Sequence, residues 1–427
     1  MRVWWHSGKP PKARRDSTKE VKDLVKYHVG VDVGKNRHHV SIRDMPTGTL
    51  HKTFSISCDR TGFLKLVSVL ERLSPDKDDF LIGVEACGPY GVTLSSFLLS
   101  LGYKLVEINP FRASQFRKAE GKKAKTDRID ARSLSAILSL DNHKPLSIPS
   151  PVLDNLKELT RFLADLVKER SSMLNQLHET LTTLFPEFNS VFKELDSASS
   201  LALLIAFPGP ESIIRAGEEK VAQSLSNASP GRMGKGMARI IVETARNTVG
   251  VLQKQPALGI KVSILGERLL ALQRALDRVE KEIAGLFSEL PYEPKDFPIG
   301  NIPSLATIIS EVGDIHRFLT LKQFLSHFGW CPQSFQTGNY RLEHPRMSHA
   351  GNKYVRKVVW MLSIGAIRLV PRYRAYFERR VREGKAKMHI LVAVGRKLLS
   401  VFYAILKKGI PYDPNWEENR HFALAKP

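Results

Sequence analysis

Between residues 26 and 56 apolar and polar side chains alternate, in the segments YHVGVDVGK, HHVSIRDM and TLHKTFSIS. A period of two belongs to half-buried strands, and the short polar breaks predict turns, hence three antiparallel strands. Residues 61–73 (TGFLKLVSVLERL) change to the three-and-four spacing of an amphipathic helix. FLIGVEA then reads as a buried strand, SSFLLSLG as a helix stopped at a glycine, and YKLVEINP as a further strand.

Three strands followed by alternating helix and strand predict a mixed sheet with helices on its faces. This is the order of a ribonuclease H-like domain. After Pro110 the pattern turns basic, and TDRIDARSLSAILSL reads as a helix with Thr126 as its N-cap. KPLSIPSPV (144–152) is a proline-rich linker. Beyond it, Leu156, Leu159, Leu163, Leu166, Met173, Leu177 and Leu184 recur at helical spacing, interrupted by Arg170 and Thr180. Leu265, Leu269, Leu272, Leu276, Val279, Ile283 and Leu286 alternate steps of four and three. That is a heptad seam, so long coiled-coil helices are expected, paired with each other or with another subunit. FPGPESIIRAG and SPGRMGKGMARI between them read either as turns that aim N–H groups at phosphate or as plain loops. Helices are expected on both sides of Pro371.

The expected fold class is therefore α/β plus all-α. Its divisions are a basic arm (1–25), an α/β domain (26–143), a helical domain with a basic Gly-rich insert (153–290), a mainly helical C-terminal domain (296–410) and a polar tail (411–427). The arm reads equally as a phosphate contact or a simple tail.

Charge narrows the partner. Lys and Arg number 65 against 43 Asp and Glu, a net +22, which favours a polyanion and points to nucleic acid. The three cysteines, Cys58, Cys87 and Cys331, form no paired motif, so neither a disulfide framework nor a zinc site is expected. No apolar run approaches the roughly 20 residues that cross a bilayer. The expectation is a cytoplasmic protein with no membrane partner.

Four acidic residues stand out: Asp32 and Glu85 inside apolar strands, and Asp127 and Asp130 three apart on one helix face. A carboxylate in a buried strand is costly unless something pairs with it. Hard oxygen ligands suit Mg²⁺, with two ions expected and Mn²⁺ able to substitute. Such a pair of ions drives phosphodiester chemistry. The stretch from Arg112 through Arg117, Lys118, Lys122, Lys123, Lys125 and Arg128 is the expected nucleic-acid track, with Arg341, Arg346, Lys353 and Arg356 in the last third. Residues 331–349 offer the hydroxyls Ser334, Thr337 and Ser348. His38, His39, His344 and His349 have no metal-ligand spacing and are expected at the surface or on phosphate. Asp314 is expected to cap a helix, and Glu107 to face solvent.

HVGVDVGKNRHHVSI, GVEACGPYG and INPFRASQFRKAEGKKAKTDRIDARSLS together resemble the DEDD transposases of bacterial insertion sequences, a group that includes the Piv-type DNA invertases. GWCPQSFQTG followed by HAGNKYVRKVVWM is similar to that family's second domain. The resemblance covers most of the chain beyond residue 25. It implies a RuvC-like N-terminal domain with Asp32, Glu85, Asp127 and Asp130 as Mg²⁺ ligands. It further implies a nucleophilic hydroxyl from the C-terminal domain, combined across subunits to give a covalent 5′-phosphoprotein link. A structured guide RNA pairing with donor and target double-stranded DNA, a dimer or tetramer joined by the coiled coil, and a bacterial, nucleoid-associated location follow from the same resemblance.

One position departs from the family pattern. Where the family has serine before the glycine, this chain has Thr337 before Gly338. Threonine's β-methyl crowds its hydroxyl, and Ser334 is the nearest alternative. A RuvC-like structure-specific endonuclease using water, and an inactive nucleic-acid-binding scaffold, are the competing readings.

Overall fold

The computed structural model describes residues 25–45, 47–85, 88–119, 127–140, 144–146, 150–229, 234–331, 336–337, 340–341, 347 and 351–414. For residues 88–89, 117, 127–129, 144, 336–337 and 340–341 it describes the backbone alone. The chain divides into two units, Met1–Pro149 and Ser150–Pro427.

In the first unit, β1 (Tyr27–Asp32), β2 (Arg37–Asp44) and β3 (Leu50–Ser57) form an antiparallel meander. β4 (Phe80–Glu85) joins β1 in parallel, and β5 (Lys104–Ile108) joins β4 in parallel. Lys144–Pro145, within the stretch expected to be a linker, instead pairs with β5 as a two-residue edge strand, β6. The sheet order is β3-β2-β1-β4-β5-β6, a mixed sheet consistent with a ribonuclease H-like domain.

The two faces of this sheet differ in chemistry because successive strand residues alternate. One face presents Val29, Val31, Val40, Ile42, Ile56, Ile82 and Val84, all buried. Helices α1 (Arg60–Leu73) and α2 (Val92–Ser100) cover it with Phe63, Leu66, Leu70, Leu94 and Leu98. The other face is polar at its centre and carries α3 (Pro110–Ala119) and α4 (Asp127–Ile137). Its smaller apolar cluster joins Val106 and Ile108 to Leu134, Ile137 and Leu138.

The second unit is helical. α5 (Pro151–Leu184) and α10 (Gln255–Ser288) are its two long helices. Val251 N donates to Thr183 O at 3.0 Å and Arg268 meets Glu169 at 3.5 Å. These contacts set the pair antiparallel. The seam from Leu265 to Ile283 is buried, and its partners lie in its own chain. α10 packs on α5 and on α7 (Ala198–Ala206), while α5 also packs on α11 (Ile302–Val312). The seam is thus part of a broad core. The two interruptions have local causes: Arg170 pairs with Asp196, and Thr180 Oγ1 donates to Gln176 O at 2.6 Å.

Between the long helices lie α6 (Phe188–Val191), α7, α8 (Pro210–Ala228) and α9 (Lys235–Arg246). After α11 come α12 (Leu321–His327), the β7–β8 hairpin (Gln336–Thr337 and Tyr340–Arg341), α13 (Lys353–Leu369), α14 (Pro371–Arg382) and α15 (Lys387–Lys408). One continuous core runs from Leu156 to Leu406, so the helices of 153–290 and 296–410 share it. α15 corrects the expectation that no segment is apolar enough for a bilayer. By length and composition it is, yet its Val394, Leu398, Leu399, Phe402 and Leu406 are buried in this core.

Candidate functional site

The polar sheet face is built from one short pattern used twice. β1 ends Gly30-Val31-Asp32 and β4 ends Gly83-Val84-Glu85. Gly30 pairs with Gly83 and Val31 with Val84 in parallel register. In each strand the valine enters the apolar core, so the glycine and the acid share the opposite face. Asp32 and Glu85 are each one residue past the last register pair. They therefore stand side by side on strands about 4.8 Å apart, and both are half-buried.

The glycines bring α4 down onto that face. A Cβ on Gly30 would lie 2.2 Å from Ser135 N and 2.5 Å from Ala131 O, both α4 backbone. A Cβ on Gly83 would meet Ile108 Cδ1 at 2.6 Å and Leu138 Cδ2 at 2.7 Å. Ser135 Oγ lies 3.4 Å from Ser41 Oγ, and Ser41 is the register partner of Gly30. Four residues on, Ser139 reaches Met45, whose N donates to Lys26 O beside the start of β1. α4 thus runs antiparallel to β1, and its first turn, with Asp127 and Asp130, lies toward the end where Asp32 and Glu85 stand.

Asp130 is half-buried, and Asp127 is described by its backbone alone. Among the described residues no three His, Cys, Asp or Glu side chains stand close enough together to hold a metal ion. The donor set itself, carboxylate oxygens only, has the chemistry that Mg²⁺ takes.

The two histidines after β1 part company. His39 is the register partner of Asp32, which puts it on the carboxylate face, half-buried. His39 was expected at the surface or on phosphate; its parity with Ser41, two residues on, is the sequence signal for the carboxylate face. His38 corrects the expectation of a surface histidine. One step along β2 turns it into the apolar core, fully buried, with its ring 6.0 Å from Phe63 and Nε2 without a partner. Burial, with a smaller contribution from the charge of His39, holds its pKa below the ordinary 6.5. A folded-state pKa below the unfolded one makes unfolding take up a proton. Stability is then full above about pH 6.5 and is lost as pH falls below it. His38→Phe is expected to flatten that part of the stability–pH curve, measured by urea unfolding between pH 5 and 7.

The basic track is only partly described. Arg112 and Lys118 are exposed on α3, while Arg117 and Arg128 are described by backbone alone. Lys122, Lys123, Lys125 and the cap Thr126 lie outside the described residues. α3 starts directly after β5, and Ile108 of β5 pairs with Glu85, so Arg112 leaves the sheet at the carboxylate edge. Ligands of open α/β sheets gather at this edge, beyond the carboxyl ends of parallel strands.

In the second unit Thr337 lies in β7 and pairs with Tyr340, while Gln336 pairs with Arg341; these side chains are not described. Ser334, Arg346, Ser348, His344 and His349 lie outside the described residues. The stem of the loop is well fixed. Gly351 backs onto Phe328 and Gly329, where an added Cβ would come within 2.6 Å of backbone. Asn352 caps α13 by accepting from Tyr354 N (2.9 Å) and Val355 N (3.1 Å), and it donates to Glu311 Oε2 at 2.7 Å. Arg161 closes the other side of the buried Glu311 at 2.5 and 2.9 Å. Lys353 is exposed, with Nζ 4.9 Å from the Tyr354 ring, and Arg356 is half-buried on the same helix. Asp314 accepts from His316 N at 2.8 Å as a cap, and Glu107 is exposed.

The sequence is similar to those of known proteins. A family model described as a transposase, of the DEDD IS110 type, matches residues 29–186. A second, described as the transposase IS116/IS110/IS902 family, matches residues 299–378. The chain is 24% identical to the 44.8 kDa protein of insertion element IS116 from Streptomyces clavuligerus, over 89% of this chain and 94% of that one. It is 25% identical to the mini-circle putative transposase for IS117 of Streptomyces coelicolor, over 94% and 98%. It is 21% identical to the pilin gene-inverting protein of Moraxella lacunata, over 92% and 100%. With that family's models matching residues 29–186 and 299–378 and its relatives aligned nearly end to end, this chain belongs to the IS110 family of insertion-sequence transposases.

Proposed function

We propose that this transposase cuts and rejoins double-stranded DNA by transferring a strand through a side-chain hydroxyl. Thr337 is the nucleophile in this reading, with Ser334 as its alternative. Asp32, Glu85, Asp127 and Asp130 would hold Mg²⁺, and two such ions would neutralise the scissile phosphate and sharpen the attacking hydroxyl. Thr337 Oγ bonds to phosphorus as the P–O3′ bond breaks, and the 3′ oxygen leaves with a proton. The 5′ end stays on the protein. A 3′-hydroxyl from a second strand then attacks the same phosphorus and releases Thr337, so no water is consumed.

The repeated Gly-Val-acid row, with α4 seated on it, carries this reading. It explains why two acids stand in apolar strands: they line one edge beside the helix that bears the other two. Guidance by a structured RNA, and assembly as a dimer or tetramer that joins the two half-sites, complete the proposal; both rest on the family.

Trapping tests the nucleophile. The protein is incubated with Mg²⁺ and a labelled DNA substrate, digested, and its DNA-linked peptide sequenced. An adduct on Thr337, lost in Thr337→Val, is the expected result. Free 5′-phosphate ends without any adduct would favour the water-using endonuclease instead.

A further inference from the structure

The second unit buries an acid that the chemistry so far leaves idle. Glu311 stands in the last turn of α11, and its side chain is only 2% exposed. A carboxylate there opposes the helix dipole, whose negative end lies at that terminus. A buried ion pair is also often no more stabilising than apolar residues of the same size. Stability alone therefore gives little reason to place a charge at this point.

What Glu311 does is tie three helices together. Its Oε1 accepts from Arg161 Nε on α5, and its Oε2 accepts from Arg161 Nη2 at 2.9 Å and from Asn352 Nδ2 at 2.7 Å. The last of these bonds decides which way round Asn352 sits. With its NH₂ group on the carboxylate, its Oδ1 must face Tyr354 N and Val355 N, the cap bonds of α13. Arg161 also lies over the Tyr354 ring, 5.2 Å from its centroid. The start of α13 is thus held from α5 and α11 at once.

This start is one arm of the stretch that carries Thr337. The other arm is Phe328–Trp330, where Trp330 N donates to Leu325 O at 2.9 Å and the ring lies against Gly395 of α15. The arms meet at Gly351, whose backbone, at φ +140°, presses on Phe328 and Gly329. A hydroxyl that attacks phosphorus must arrive in line, and a misplacement of about 1 Å costs about a hundredfold in rate. We propose that Glu311 is a positioning residue. By holding Asn352 and Arg161 it fixes the arm from which the Thr337 stretch departs, a role that rests on the reading of a hydroxyl nucleophile in that stretch.

The test separates capping from tethering in the full chain. Asn352→Ser keeps an N-cap oxygen but is too short to reach Glu311. Asn352→Asp keeps the cap and sets two carboxylates face to face. Asn352→Asp combined with Glu311→Gln restores one negative charge and the hydrogen bond, with its direction reversed. Each single variant should slow adduct formation at saturating DNA about a hundredfold, with DNA affinity unchanged. Hydrogen exchange of the β7–β8 hairpin amides should quicken while α13 stays protected. The combined variant should regain about tenfold or more of the rate and recover the slow exchange. Hairpin exchange that stays unchanged in both single variants would overturn the proposal, and so would a folded combined variant that restores neither exchange nor rate. If the unchanged protein forms no adduct, the hydroxyl reading fails by itself, and hairpin exchange still decides whether Glu311 holds this arm.

Discussion

Asp32→Asn is expected to lower DNA strand cleavage about a thousand-fold or more, while leaving the protein folded. Metal-held charge at a scissile phosphate is worth several kcal/mol of barrier, and each 1.4 kcal/mol or so is a factor of ten. Glu85→Gln should do the same, because the two acids complete one row. Stability should move the other way. Two like charges side by side on neighbouring strands cost about 0.2–1 kcal/mol, so each neutralised variant should melt slightly higher than the unchanged protein without divalent ions. Adding Mg²⁺ should raise the melting temperature of the unchanged protein by mass action, and should do so much less for either variant. Cleavage that survives Asp32→Asn would remove the carboxylate from the mechanism.

The second large effect belongs to a glycine. Gly30→Ala is expected to destabilise the first unit by about 3 kcal/mol or more, since its Cβ meets α4 backbone at 2.2 Å and neither partner can rotate away. Gly83→Ala is the informative comparison. Its neighbours are side-chain ends of Ile108 and Leu138, which can shift, so a cost of about 1–2 kcal/mol is expected. Urea unfolding of both variants measures the difference. Equal, small losses would mean that α4 is not seated on β1 as described. Cleavage should fall with Gly30→Ala, because lifting α4 moves Asp130 away from Asp32.

Much of this arrangement could be read from the residues in order. The alternation through 26–56 gave the meander, and the apolar runs of β4 and β5 gave the parallel pair, because burial on one face leaves a period of two. The carboxylate row was legible too: Gly-Val-Asp and Gly-Val-Glu repeat the same parity. Alternation also separates the two histidines, for His38 is in step with Val40 and Ile42 of the core and His39 with Ser41 of the polar face. The heptad seam of α10 was plain, but a stripe does not name its partner; α5, α7 and α11 of its own chain cover it. The short strand at Lys144–Pro145 hid behind prolines, which sheet edges tolerate. The 22-residue α15 is apolar enough to suggest a membrane and becomes a core helix through its neighbours.

The claim on which the rest depends is that Asp32, Glu85, Asp127 and Asp130 converge on divalent ions. Anomalous scattering from crystals grown with Mn²⁺ tests it without reference to activity. Two manganese peaks at the end of β1 and β4, against the first turn of α4 and absent in Asp32→Asn, are the predicted result. Manganese bound only elsewhere, or no manganese with Asp32 and Glu85 turned away from α4, would contradict it.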